Sequence, residues 1–320
     1  MSRSFARIAA RDLLRHWSAR LALSVIALLV IAAIIGAFLH RTSVIQPDIA
    51  RMANTPPSRA HLLGTDPYSR DLLIRILSGA TVSLSVALLS VVFSMTLGTA
   101  YGLVAGYFGG RVDGFMMRLL DGFLSIPRVL LLIAVLALWR PVPIGGLIFL
   151  IGVTGWFSIS RVVRAETLVA RRLEYVEAAR ALGTSDVRIL WRHLLPNVAA
   201  PVIVSATLAV GNVISLEAGL SYLGIGAHEP QASWGSIFFE GVAYFAGNWW
   251  VVFFPGVAVV VTVLAFNVLG DALRDVLDPR QLHEAAAHEP LSSGATPLSS
   301  RATPLSSGAT PLSSRAKRGI

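Results

Sequence analysis

Five stretches of the chain run without a charged side chain: 21–39, 76–110, 141–160, 197–216 and 241–270. Crossing about 30 Å of hydrocarbon at about 1.5 Å per residue takes about 20 apolar residues, so each stretch is long enough to span a bilayer. A sixth, 129–139, is too short alone and is extended back to Leu119, across Arg128 and Asp121. The pattern therefore predicts six helices, over about 21–39, 82–106, 119–139, 143–161, 198–216 and 249–269. Arg128 then falls inside the third span, where a charge costs at least ~2.5 kcal/mol unless it snorkels or faces protein. Pro127 beside it predicts a kink, with the first half of that span near the cytoplasmic surface. The first apolar run exceeds the 7–15 residues usual for a signal-peptide core, which predicts an uncleaved first span.

Composition agrees with this pattern. Hydrophobic residues make up 54% of the 320 and charged residues only 14%, against about 25% charge in an ordinary soluble domain. A soluble enzyme and a mostly disordered chain are excluded. The net charge is +9, and 26 of the 27 basic residues are arginine. These arginines flank the apolar runs, so they read as topology signals rather than as a nucleic-acid surface. With the N-terminus inside, the inner segments carry sixteen arginines and the outer ones six (Arg41, Arg51, Arg59, Arg70, Arg75 and Arg140). This predicts an N-in, C-in, multi-pass protein of the inner (plasma) membrane. There is no cysteine, so disulfides, thiolate metal sites and cysteine nucleophiles are absent.

The two ends differ from the middle. Arg3, Arg7, Arg11 and Arg15 recur every four residues and form one basic stripe on a helix, which predicts an amphipathic arm over 1–20 lying on anionic headgroups. From Pro290 the unit Pro-Leu-Ser-Ser-(Gly/Arg)-Ala-Thr returns every seven residues. A proline in every second turn forbids a coiled coil, so 282–320 reads as a low-complexity, disordered tail. Between them, 21–75 holds the first span and an outer segment, and 76–281 the remaining spans.

The most informative polar segment lies between the fourth and fifth spans, at 171–196. Its first half, from Glu174, contains helix formers and a small-residue step at Ala178 and Ala179. Gly183 supplies a helix stop at positive φ. Thr184 or Ser185 caps a second helix, and Pro196 marks entry into the fifth span. The prediction is a cytoplasmic helix–turn–helix joined to two spans. Its small residues let another protein's backbone approach, and Glu177 and the nearby arginines offer charge pairing.

The run Glu177-Ala178-Ala179, then Gly183, then Leu195-Pro196, resembles the EAA loop of binding-protein-dependent ABC importer permeases. His193-Leu194-Leu195-Pro196-Asn197 resembles the form seen in the peptide and nickel branch. Three more segments are similar to that branch: 61–71 with Gly64-Thr65-Asp66 and Arg70-Asp71, 217–224 with Ser233-Trp234-Gly235, and 264–280. The resemblance covers about residues 10–281. It implies an all-α type I importer fold with six spans and a coupling helix between spans four and five. It implies a permease subunit for peptides or related small solutes, nickel chelates included, with no cofactor and no catalysis of its own. The implied partners are a second, homologous permease, two ATPase subunits, an extracytoplasmic binding protein and membrane lipid. The ATPase-coupling residues it implies are Glu177, Ala178, Ala179, Arg180, Gly183 and Asp186. The chain has no Gly-rich lysine loop for ATP, since Lys317 sits in the repetitive tail.

Other polar residues carry plainer expectations. Glu217 and Glu240 fall near the outer ends of spans, where the carboxylates are expected in water; contact with substrate or binding protein is the alternative. Asp121 and Arg118 are spaced for a local ion pair. Trp249 and Trp250 read as aromatic-belt anchors. His61 and His193 lack partners at metal-ligand spacing, so no metal site is expected. The competing function is a secondary transporter or channel without ATPase partners. Such proteins carry ionisable groups in mid-span and inverted repeats; spans one, two, four and five carry no such group, and no inverted repeat is evident.

Overall fold

A computed structural model describes residues 11–39, 53–139, 141–227 and 231–277. Arg3 and Arg7 of the basic stripe, Asp278-Pro279-Arg280 and the repetitive tail lie outside the described residues. Helices dominate: α1 (Trp17–Leu39), α2 (Leu72–Phe108), α3 (Gly110–Leu124), α4 (Arg128–Leu138), α5 (Ile144–Ala170), α6 (Glu174–Ala181), α7 (Asp186–Tyr222), α8 (Trp234–Val242) and α9 (Trp250–Leu277). Among the described residues the only β-structure is an isolated bridge between Thr65 and Asp71. Five helices are long and apolar enough to span, and α3 with α4 makes a sixth, bent by 67°.

The spans depart from the predicted limits for local reasons. The second starts at Leu72 rather than 82 because Asp71 caps it, its side chain accepting from the Ile74 N–H at 3.2 Å. Arg75 in its first turn is tolerated because carboxylates surround it. The third span is not one helix. Ser125, Ile126 and Pro127 break it, and Arg128 restarts the helix where a missing proline N–H costs nothing. The fifth span reaches back through Pro196. Ile189–Leu194 forms a π-helical stretch in which the Leu195 N–H bonds the Leu190 carbonyl. The widened turn takes up the proline, which would otherwise clash with the carbonyl four residues earlier. The elbow's second arm and the fifth span are therefore one helix.

α2 is the central element, with α5, α1 and α7 packed on it. Gly98, Gly102 and Gly106 form a four-residue repeat facing α5. A Cβ at Gly102 would stand 2.6 Å from the Ser160 carbonyl oxygen, and one at Gly106 2.6 Å from Thr167 Cβ. Lipid offers no hydrophobic drive between spans, so such close backbone approach supplies the packing. Hydroxyls add to it: Ser90 donates to the Ile148 carbonyl at 3.0 Å and Ser94 to that of Gly152 at 2.7 Å. Around this seam Val86, Leu132, Leu136, Leu147 and Ile151 form a fully buried core.

Candidate functional site

The segment Glu174–Leu194 forms a two-armed elbow. Its first arm, α6, carries Glu174 and Glu177 in the first turn and Arg180 in the last, each favourable against the helix dipole. The arm ends in a Schellman turn. Gly183 at φ +73° donates to the Arg180 carbonyl at 2.9 Å, and the Thr184 N–H donates to that of Ala179 at 3.1 Å. Ser185 takes the N-cap position of the second arm, yet its side chain makes no capping bond.

Val176, Ala179, Ile189 and Leu194 are buried and hold the elbow against the protein body. Glu177, Ala178, Arg180, Gly183 and Asp186 are exposed. So are three large apolar side chains: Leu182 (85%), Val187 (66%) and Trp191 (66%). Of the residues expected at a docking core, Ala179 alone turns its side chain inward.

One buried residue ties the two arms. Tyr107, at the end of α2, is 4% exposed. Its hydroxyl donates to Asp186 Oδ1 at 2.5 Å, and its ring lies under the Arg180 guanidinium, 4.7 Å from centroid to Cζ. The Arg171 Nη1 donates to the Tyr107 carbonyl at 3.0 Å. Sequence reasoning missed this pivot, because a tyrosine inside a 35-residue uncharged run carries no local sign of the loop it will meet.

At the opposite end of α2 lies a buried ion cluster. Asp66, fully buried, accepts from Arg70 Nε at 2.6 Å, Arg75 Nη1 at 2.8 Å, and the backbone N–H groups of Tyr68 and Arg70 at 2.8 and 2.9 Å. Glu240 on α8 accepts from Arg70 Nη2 at 2.7 Å and Arg75 Nη1 at 2.9 Å. Two carboxylates face two guanidiniums, as a buried charge requires. The expectation that Glu240 stands in water is therefore overturned, and Glu217 departs further. It is 1% exposed, accepting from Ser221 at 2.6 Å and Ser83 at 3.4 Å, and Ser83 in turn accepts from the Trp234 N–H. Trp250 is likewise no belt anchor: it is buried, its Nε1 donating to the Thr65 carbonyl at 3.3 Å, while Trp249 beside it is exposed. Asp121 pairs with Arg161 on α5 instead of Arg118. His61 Nδ1 lies 2.8 Å from Asp71 Oδ2. Among the described residues no cluster of three metal-ligating side chains occurs.

Residues 98–283 match the family of binding-protein-dependent transport system inner membrane components, and residues 4–57 match the N-terminal membrane domain of oligopeptide transport permease C. The chain belongs to this permease family. A peptide transport system permease protein of Brucella abortus is 41% identical over 273 residues, covering 85% of this chain and 91% of the relative. The dipeptide transport system permease protein DppC of Bacillus subtilis is 39% identical over 280 residues, covering 87% of each. The fold is shared with a solved structure of the MetNI methionine ABC transporter in an inward-facing conformation, at TM-score 0.53 and 22% identity, covering 64% of this chain and 96% of that one. The permease thus combines an inner-membrane helical body with an elbow between its fourth and fifth spans.

Proposed function

We propose that this permease imports peptides as one of two related membrane subunits, driven by ATPase subunits gripping the elbow and fed by a binding protein on the opposite face. The names of the relatives support peptides as the solute class. The arginine distribution supports a cytoplasmic elbow and an outer ion cluster. One observation carries the coupling role. The exposed apolar residues Leu182, Val187 and Trp191, with Glu177 and Ala178, stand on two arms that both run back to the buried Tyr107.

That geometry makes a lever. A partner closing on the elbow moves α7 directly, because the second arm is the same helix. It moves α2 through Tyr107 and α5 through Arg171. Helix-scale rigid-body motion then opens one side of the path and closes the other. ATP hydrolysis belongs to the partners, and Glu177, Ala178, Arg180, Gly183 and Asp186 form the contact, with Ala179 seating the arm from beneath.

Gly183→Pro tests the reading. Proline cannot adopt φ +73° and removes the N–H that closes the turn. The variant is expected to insert and to assemble, while uptake of a radiolabelled dipeptide falls at least tenfold relative to ATP hydrolysed in the same proteoliposomes. Wild-type uptake per ATP would sink the coupling role.

A further inference from the structure

Arg128 opens α4 directly after the Pro127 break and lies against the N-terminal half of the 27-residue helix α5. Its Nη2 donates to the Ile151 carbonyl at 2.7 Å and its Nε to Thr154 Oγ1 at 3.1 Å. Both acceptors are neutral, and among the described residues no carboxylate pairs with this cation. An ionisable side chain inside a membrane span is costly, and it marks a substrate or ion path when it faces a water-filled cavity.

Two cavities meet at Arg128. One of about 240 Å³ is lined by Ser94, Ser205 and Asn212, and one of about 430 Å³ by Trp156 and Phe157. They share Arg128, Gly155 and Ser158 in their walls. A Cβ at Gly155 would stand 2.4 Å from Ser94 Oγ and 3.1 Å from Arg128 Nη2, so glycine here leaves room for both side chains. Ser158 and Asn212 are exposed although they lie well inside their helices. Lipid cannot satisfy the exposed Asn212 amide, so this wall faces water or protein rather than lipid.

We propose that Arg128 is a carboxylate subsite on the translocation path, taking the C-terminal carboxylate of a passing peptide while Ser158 and Asn212 meet its amide groups. A guanidinium matches a carboxylate by two parallel N–H donors. Its standing bonds to Ile151 and Thr154 hold it against the wall, which keeps the contact weak enough for release. This inference rests on the peptide-import reading.

The test uses the complete complex in proteoliposomes, given a dipeptide or its C-terminal amide, each at a concentration that saturates the binding protein. The wild-type complex is expected to import the acid in preference to the amide. R128Q, which keeps a donor for Ile151 but no charge, is expected to reduce that preference about tenfold. R128K is expected to retain most of it, and ATPase stimulation by the loaded binding protein to persist in both. A wild-type complex that imports both peptides equally overturns the subsite, as does an R128Q complex with the wild-type ratio. So does an R128Q complex that loses both peptides in equal proportion. A wild-type complex that imports neither overturns the peptide reading itself.

Discussion

Tyr107 and Asp186 stand 79 positions apart in the chain and share a hydrogen bond of 2.5 Å. The bond joins the end of the central helix to the start of the helix that becomes the fifth span. The same tyrosine ring carries the Arg180 guanidinium from the other arm. Both arms of the elbow are thereby referred to one buried side chain.

Tyr107→Phe removes the hydroxyl and leaves the ring. A hydrogen bond to a charged acceptor contributes about 1.5–3 kcal/mol when shielded, and less here because Asp186 is exposed and finds water. The variant is expected to fold with a thermal midpoint within a few degrees of wild type. Uptake per ATP is expected to fall several-fold, because the second arm no longer pulls on α2. Parallel measurement of dipeptide uptake and ATP hydrolysis in one vesicle preparation checks both parts.

The outer cluster makes a stability prediction. Removing one member of a buried charge pair costs about 3–5 kcal/mol, since it strands the other. Arg75→Met takes one of the two guanidiniums from Asp66, and is expected to lower the detergent-solubilised thermal midpoint markedly. Glu240→Gln is expected to cost less, because Glu240 is 23% exposed and Asp66 remains. The double variant is expected to lose less than the sum of the two, as residues in one network couple. Additive losses would show that Arg75 and Glu240 act independently.

Gly102 and Gly114 separate packing from propensity. A leucine at Gly102 meets the Ser160 carbonyl, Val163 and the Arg164 backbone, whereas Gly114 has nothing within 4 Å of a built Cβ. Overpacking of this kind costs about 1–3 kcal/mol or more. Gly102→Leu is expected to reduce the yield of folded permease in the membrane, and Gly114→Leu to leave it unchanged. Size-exclusion profiles of the two variants provide the comparison.

Much of this architecture is legible in the chain because a bilayer enforces it. Long uncharged runs favour helices there, and most arginines collect at their ends. The elbow is legible for a different reason: Gly183 is the one residue type that closes such a turn freely. The ion cluster is hidden because Arg70, Arg75, Asp66 and Glu240 look like surface charges until the chain brings α8 over the start of α2. Glu217 is hidden in the same way, since its partners Ser83 and Ser221 come from α2 and its own helix. Pro196 misleads because local rules end a helix there, and a π-helical turn absorbs the proline instead.

Engagement of the elbow by an ATPase subunit is tested most directly by cross-linking. The chain contains no cysteine, so Ala178→Cys and Leu182→Cys each place a single thiol on the exposed elbow. The cognate ATPase subunits, carrying single cysteines around their membrane-facing groove, are co-expressed with each variant. The account predicts disulfide cross-links from both positions, with yields that change when ATP is bound, and none from Thr96→Cys on the exposed face of α2. Cross-links that fail to form from either elbow position in an intact, ATP-hydrolysing complex would contradict it.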